Sequence, residues 1–330
     1  MKIMEKISIK PVLTLMSVVL ALAIPCIPGV GAGFLGMMML MYVFIMYACA
    51  WNLLAYSGQG SLGHSAFLGL GAYGSVLLAK GFNVDPLLKS INVEVLGSTL
   101  AGGLLAAVAG VLIGLTCVRL REWFLGMATF GFAIIIHTIT TELSSLTGGH
   151  DGLPTKHLVS VSDFLVRYQM EYYIILISTL IAVYVMYLVL NSRIGLAFQA
   201  IRENELEAKV MGVNIVKYKL VGFALSAFFS GVAGALMIHH IGYLTPEIFS
   251  IDNSFKPIIY SIAGGLSTIE GPILGTVIVT ALWDGLKSFG LVYEHLVIIG
   301  LLLIGIVIFL PRGFVSLLSE LKNRISNTKI

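Results

Sequence analysis

The sequence predicts an all-α protein, a polytopic bundle of membrane-spanning helices, from its composition, one long uncharged block and the distribution of its basic residues. The 330 residues are 58% hydrophobic and 11% charged, with a mean hydropathy of +0.96, whereas soluble domains carry about 25% charged residues. No Asp, Glu, Lys or Arg occurs between Pro11 and Ala79. This composition excludes a soluble enzyme, a nucleic-acid-binding protein and a disordered chain, and it predicts extensive contact with membrane lipid.

Ten apolar segments are candidates for membrane crossings, since a helix needs about 20 apolar residues to span a bilayer. The predicted crossings are 12–27, 34–55, 62–79, 95–118, 123–141, 172–192, 220–246, 257–269, 271–283 and 295–311. The first is interpreted as an uncleaved helix rather than a cleaved signal, because the hydrophobic sequence continues far past its end. Segments 257–269 and 271–283 could instead form a re-entrant pair, which would leave eight crossings, and broken helices are expected in either case.

Basic residues in alternate connections indicate the orientation, because short cytoplasmic loops are enriched in Lys and Arg. The nearly neutral connections are 80–94 and 144–168, and the basic regions are the N-terminus, the turn at Arg119 and Arg121, the 193–219 loop and the C-terminal tail. Both termini are therefore predicted to be cytoplasmic with either eight or ten crossings. The chain is expected to form a single transmembrane domain over residues 1–330.

The cytoplasmic loop 194–212 is the most informative segment, and it predicts one amphipathic helix of about 17 residues, ~25 Å long. Glu205 and Lys209 have the spacing of an i, i+4 ion pair, and Gly212 is expected to end the helix. One side of this helix is predicted to carry Ala197, Ile201, Ala208 and Met211. Such a helix either docks in a groove of a soluble partner or only connects two crossings, and the residue pattern leaves both interpretations open.

A second polar segment interrupts the uncharged block just before the third crossing. It contains three serines, three glycines, a glutamine and a histidine, of which Ser57, Gln59, Ser61 and His64 are candidates for lining a translocation path. Polar groups at membrane depth are tolerated where protein or a water-filled cavity satisfies them, and broken helices often mark transport sites. The alternative is that these residues only make packing and hydrogen-bonding contacts.

Other motifs give no indication of catalysis. The chain contains no GxxxxGK[ST] phosphate loop, HExxH, GxSxG or paired-carboxylate motif, so no catalytic residue, no metal site and no cofactor in this chain is predicted. The GxGxxG at 69–74 lies inside an apolar segment and indicates helix packing rather than nucleotide binding. His239 and His240 are interpreted as interfacial residues, and the outer segment 146–154 as a glycine-rich structured turn that could contact an extracellular partner.

Five segments together resemble the LivM-type permeases of branched-chain amino acid ABC importers. They are 60–73, 146–154, 202–212, 226–236 and 264–275. The resemblance implies a coupling helix that contacts an ATPase subunit through Arg202, Glu203, Asn204, Glu205, Glu207, Ala208 and Gly212. The consensus of that loop in ABC permeases is kept in part, because Lys209 follows Ala208 and the glycine falls one residue early.

The resemblance also implies partners and a location. A second homologous permease, two ATPase subunits that bind ATP, and an extracytoplasmic solute-binding protein would complete the importer in the cytoplasmic membrane of a bacterial or archaeal cell. The expected function is import of branched-chain amino acids or a similar small polar solute. One alternative is an ABC permease for urea or amides, and another is an ion-coupled secondary transporter, whose candidate ionisable groups are His64, His137, Glu142 and Asp284.

Overall fold

The computed structural model describes residues 9–81, 92–120, 122–266, 268–288, 294–309 and 313–315. Over these residues the chain forms thirteen α-helices, which are α1 (Ile9–Ala23), α2 (Ala32–Tyr56), α3 (Ser65–Gly81), α4 (Val93–Cys117), α5 (Glu122–Glu142), α6 (Ser144–Thr147), α7 (Phe164–Leu190), α8 (Arg193–Glu203), α9 (Glu205–Val210), α10 (Ile215–Ile241), α11 (Ile251–Gly264), α12 (Glu270–Ser288) and α13 (Glu294–Phe309). Strands β1 (Leu153–Pro154) and β2 (Tyr243–Leu244) pair antiparallel, and 3-10 helices occupy Ile24–Cys26, Gly149–Asp151 and Pro246–Phe249.

The long helices correspond one to one with the ten predicted apolar segments, which confirms the all-α membrane class. Five of them, α2, α4, α5, α7 and α10, are long and apolar enough to cross a bilayer on their own. Helix α7 begins at Phe164, earlier than the predicted start at 172, because its polar first turns precede the apolar stretch. Residues 1–8 and 316–330 lie outside the described residues, so the cytoplasmic location of the termini stays a prediction.

Helices α3, α4 and α10 form the centre of the bundle, where glycines bring their backbones into contact. A Cβ atom placed on Gly71 of α3 would collide with the backbone of Gly231 on α10, and one placed on Gly102 of α4 would overlap the carbonyl oxygen of Gly71. Small residues allow this approach, and in lipid the resulting van der Waals packing drives helix association. The GxGxxG sequence therefore serves helix packing, as predicted.

The largest apolar cluster lies where α2 packs between α7 and α10. Its fully buried side chains include Leu35, Met39, Tyr47, Tyr172 and Ile175. On α4, in contrast, large apolar side chains are exposed and point away from the bundle. They are Leu100, Leu104, Val108, Leu112 and Leu115. This combination of a packed interior and an apolar exterior suits a bilayer as solvent.

Two helices begin in the interior of the bundle rather than at its ends. The Ser65 hydroxyl, at the start of α3, lies 2.7 Å from the Ser254 hydroxyl in the first turn of α11 and donates to the Phe249 carbonyl oxygen at 3.0 Å. The adjacent His64 contacts Ser230, which lies halfway along α10. The segments leading to these helices, 57–64 and 242–250, therefore cross half of the bundle without α-helix, which is the broken-helix geometry the sequence predicts.

Candidate functional site

The loop 194–212 forms two helices, α8 and α9, so the prediction of one continuous helix is wrong. Asn204 separates them with an extended backbone (φ −158°, ψ 111°). Its side-chain oxygen accepts the backbone N–H groups of Leu206 at 3.0 Å and Glu207 at 3.3 Å, and its amide donates to the Glu207 carboxylate at 2.7 Å. Asn204 thus acts as the N-cap of a new helix, an arrangement that stabilises a helix start by about 1 kcal/mol.

Helix α9 ends at Gly212, as predicted. This glycine has φ +85°, a conformation that is costly for residues with a Cβ atom. Its N–H donates to the Lys209 carbonyl oxygen, and the N–H of Val213 donates to the Ala208 carbonyl oxygen, both at 3.0 Å. These two bonds form a Schellman motif, which satisfies the last carbonyl groups of the helix.

Helices α8 and α9 differ in whether their large apolar side chains are buried. Phe198 and Ile201 of α8 and Ala208 of α9 are buried. On α9 and its C-cap residue Met211, the apolar side chains Leu206, Val210 and Met211 are 76%, 86% and 83% exposed. The prediction that Met211 lies on the same side as Ala197, Ile201 and Ala208 is therefore wrong, because those three side chains are buried whereas Met211, just past the end of α9, is exposed. An apolar surface among charged residues results, and such a surface commonly marks a protein contact.

Glu205, the first residue of α9, forms an ion pair with Lys219 on α10 rather than with the predicted partner Lys209. The Lys219 side chain is buried and the Glu205 side chain is about half exposed. Lysine is almost never fully buried without a partner. The pair therefore ties the start of α9 to the bundle, while Arg202, Glu203 and Glu207 remain exposed.

The four predicted path residues form a buried polar group in the 57–64 segment. Gln59 donates to the Ser57 hydroxyl at 2.8 Å and to the Lys219 carbonyl oxygen at 3.3 Å. His64 Nε2 lies 3.1 Å from the Ser226 hydroxyl and 2.8 Å from the Ser230 hydroxyl. Three buried atoms of the segment, Gln59 Oε1, Ser61 Oγ and His64 Nδ1, have no hydrogen-bond partner in the part of the chain that the structure describes. A path lined by these groups would require the surrounding helices to separate.

The 57–64 segment also contacts helices on both sides of it. Gly58 (φ +74°) packs so closely on α8 that a Cβ atom there would lie 3.3 Å from the Cα atom of Arg202. The Leu62 N–H donates to the Thr129 hydroxyl of α5 at 3.1 Å, and a Cβ atom on Gly63 would overlap the Thr129 carbonyl group. The structure thus brings the predicted coupling residues and the predicted path residues together, which the sequence alone does not indicate.

The outer segment 146–154 is a structured turn, as predicted. Gly148, Gly149 and Gly152 have φ values of +76°, +55° and +70°, and the turn leads into strand β1. The Tyr243 hydroxyl, on the partner strand β2, donates to the backbone carbonyl oxygen of Asp151. The turn is therefore fixed to the C-terminal end of α10.

A buried carboxylate near this end was missed by sequence analysis. Glu171 of α7 is fully buried, with His240 Nδ1 at 3.0 Å and His157 Nδ1 at 3.7 Å from its two oxygens. His239 is also buried, with Nδ1 2.7 Å from the Lys156 carbonyl oxygen and Nε2 2.8 Å from the Ser75 hydroxyl. Both histidines are therefore buried inside the protein, and their location at the membrane interface stays a prediction. A lone acidic residue at the start of an apolar stretch was the available signal for Glu171.

The ionisable groups considered for ion coupling do not form a site. Among the described residues, no hydrogen bond or ion pair joins any two of His64, His137, Glu142 and Asp284. The same part of the chain contains no group of three or more His, Cys, Asp or Glu residues placed to hold a metal ion. The remaining candidates for a functional site are therefore α8, α9 and the 57–64 segment.

Comparison with known proteins decides the family. The family described as branched-chain amino acid transport system / permease component matches residues 33–307. This chain belongs to that family. It is a multi-pass cell-membrane permease of LivM type, and the family is one of transport proteins rather than enzymes.

Curated relatives include amino acid and sugar permeases. The chain is 27% identical over 286 residues to the high-affinity branched-chain amino acid transport system permease protein LivM of Salmonella typhimurium, covering 78% of this chain and 64% of that protein. It is 26% identical to LivM of Escherichia coli, covering 89% and 72%. The galactose/methyl galactoside import permease protein MglC of Salmonella typhimurium is 29% identical over 56% of each chain. No solved structure matches the chain.

Proposed function

We propose that this permease is the membrane subunit of an ABC importer that moves branched-chain amino acids, or a similar small polar solute, across the cytoplasmic membrane. The observation that carries the proposal is α9, a cytoplasmic helix whose exposed Leu206, Val210 and Met211 form an apolar surface bordered by charges. An amphipathic helix of this kind suits a groove on a soluble partner. The absence of a phosphate-binding loop in the sequence is consistent with ATP binding on that partner.

The assembly proposed around this chain contains a second homologous permease, two ATPase subunits and an extracytoplasmic solute-binding protein. ATP would drive closure of the ATPases, which would move α8 and α9 and switch the permease pair between outward-facing and inward-facing states. Each ligand can shift this equilibrium only through a difference in its affinity for the two states. The loaded binding protein and ATP must therefore favour different conformations.

Branched-chain amino acids are the favoured substrate because the two LivM relatives align over 78% and 89% of this chain. The MglC relative aligns over 56%, and the xylose transport system permease protein XylH of Haemophilus influenzae is 23% identical over 74%. Sugars are therefore the competing substrate class. A permease for urea or amides remains the alternative within the same mechanism.

A topology of ten crossings agrees with the contacts between helices. Segments 57–64 and 242–250 each reach the middle of the bundle, and α3 and α11 complete their crossings from there. Helix α12 has 19 residues (Glu270–Ser288), enough at about 1.5 Å per residue to span most of a bilayer. Leu266, between α11 and α12, is partly exposed and would then face the cytoplasm. A cysteine at Leu266 should react with a membrane-impermeant maleimide only from the cytoplasmic side, whereas protection from both sides would favour the re-entrant pair.

The ATPase contact is tested by cross-linking from α9. A Val210→Cys variant should form a cross-link to the co-purified ATPase subunit in the assembled complex, because this side chain is 86% exposed on the proposed contact surface. Val216→Cys is the matched control, since Val216 is also exposed on the first turn of α10. Equal cross-linking from both positions, or none from Val210→Cys in an assembled and active complex, would contradict the assignment of α9.

A further inference from the structure

Lys219 is a buried cation whose location joins three separate parts of the molecule. It lies in the second turn of α10 and is 4% exposed. Its ammonium group pairs with Glu205, and among the described residues no other acidic side chain forms an ion pair with it. Because the Lys219 side chain is buried, removal of Glu205 would leave its charge uncompensated, which is unfavourable. The position of α9 is therefore tied to Lys219.

The carboxylate partner sits at the point where α9 begins. Glu205 follows the N-cap residue Asn204, and the first turn of a helix favours negative charge because of the helix dipole. The ion pair thus acts on the end of α9 that the Asn204 cap has separated from α8. Movement of α9 away from the bundle would have to break this pair or carry α10 with it.

The backbone of Lys219 contacts a second element, the 57–64 segment. Gln59 donates to the Lys219 carbonyl oxygen at 3.3 Å and to the Ser57 hydroxyl at 2.8 Å. One residue away, Gly58 lies against the backbone of Arg202 at the end of α8. The side chain of Lys219 therefore contacts α9. Its main chain contacts the 57–64 segment, which packs on α8.

The 57–64 segment continues from this junction to α5. Its Leu62 N–H donates to the Thr129 hydroxyl at 3.1 Å. The Gly63 backbone packs so closely on the Thr129 carbonyl group that a Cβ atom would not fit between them. Helix α5 also contacts α3, α4 and the 3-10 helix Pro246–Phe249, and much of its surface is exposed, including Met127 and Ile135. A displacement of the segment would therefore act directly on α5.

We propose that Lys219 is a positioning residue of the transport cycle, which couples α9 through Glu205 and Gln59 to the 57–64 segment and so to α5. This inference rests on the proposed role of α9 at the ATPase. In this proposal Ser57 and Gln59, the candidate path residues, transmit movement inside the subunit. This role is consistent with their complete burial. It also explains why glycines occupy positions 58 and 63, where the segment meets α8 and α5.

Charge reversal tests this assignment in the complete complex reconstituted in proteoliposomes. The single variants Glu205→Lys and Lys219→Glu should each lower the ATP hydrolysis stimulated by the loaded binding protein by about 10-fold, and the double variant should recover most of it, as expected for directly interacting residues. Lys217→Glu is the matched control, because this nearby lysine is exposed on the same helix. Unchanged stimulation in both single variants, or an assembled double variant without recovery, would overturn the proposal.

A distance measurement separates transmission of movement from a purely structural role. Spin labels at Met127 of α5 and Ile181 of α7, both exposed, should report an ATP-dependent change of distance in the wild-type complex. The milder variant Glu205→Gln, at a half-exposed position, should assemble but lose that change. An ATP-dependent change equal to that of the wild type would refute the role of the pair.

The outcome can be distinguished from failure of the proposed function. If the Val210→Cys cross-link to the ATPase forms while the charge variants have no effect, α9 contacts the ATPase but Lys219 does not transmit its movement. If that cross-link is absent in an active complex, the proposed contact of α9 itself is wrong. The two results concern different residues and are measured independently.

Discussion

At the scale of single residues, the buried carboxylate of Glu171 connects three elements at the outer end of the bundle. It is on α7, His240 is on α10, and His157 belongs to the connection after β1. Its Oε1 atom lies 3.7 Å from His157 Nδ1, and neither atom has a hydrogen-bond partner among the described residues. A buried carboxyl group without hydrogen bonds is costly, so the contact with His240 fixes the relative position of α7 and α10.

Replacement of Glu171 should therefore lower the stability of the purified permease. Glu171→Ala leaves His240 without its partner and opens a cavity, which we expect to cost about 3 kcal/mol, as for other broken buried pairs. Glu171→Gln keeps an oxygen that accepts from His240 and should cost clearly less. Thermal unfolding in detergent measures both, and equal unfolding temperatures for the two variants would argue against the hydrogen bond as the cause.

Residue-level contacts are also where prediction from sequence fails. The N-cap role of Asn204 was missed because Glu205–Lys209 and the surrounding helix formers favour one continuous helix. Glu205 pairs with Lys219, and Glu171 pairs with His240. Each pair joins elements that are distant in sequence, so it depends on how the helices pack. Local spacing contains no information on such pairs, whereas Gly212 was predicted correctly because a helix end is a local feature.

At the scale of elements, glycine positions determine how closely helices approach. Gly102 of α4 faces Gly71 of α3, where an added Cβ atom would overlap a backbone carbonyl oxygen. Gly97, in the same helix, is exposed and an added Cβ atom there meets no atom within 4 Å. Both were visible in the sequence as glycines in an apolar segment, and only the structure tells them apart.

The substitution Gly102→Ala should consequently destabilise the permease by about 1–3 kcal/mol, the usual cost of overpacking a close-packed interior. Gly97→Ala is the matched control and should be neutral or slightly stabilising, because alanine favours the helix. Thermal unfolding in detergent compares them. Similar losses of stability from both substitutions would mean that contact between α3 and α4 is not the reason for glycine at 102.

At the scale of the whole molecule, the ten apolar helical segments and the broken helices were accessible from the sequence, since hydrophobic length determines them. The cytoplasmic location of 194–212, inferred from the basic loops, stays a prediction. The junction of α8, the 57–64 segment, α10 and α5 could not be predicted from the sequence, because it is created by tertiary packing. This junction links the surface proposed to meet the ATPase with the interior of the permease. The proposed movement of α9 would reach the interior of the permease through this junction.

If ATP drives import through this permease, as proposed, uptake by the complete complex in proteoliposomes will show it. With the binding protein and radiolabelled leucine on one side and ATP on the side of the ATPases, accumulation should occur after ionophores have removed all proton and sodium gradients. Excess unlabelled leucine should compete and galactose should not. Leucine uptake that follows an ion gradient and proceeds without ATP would contradict the account.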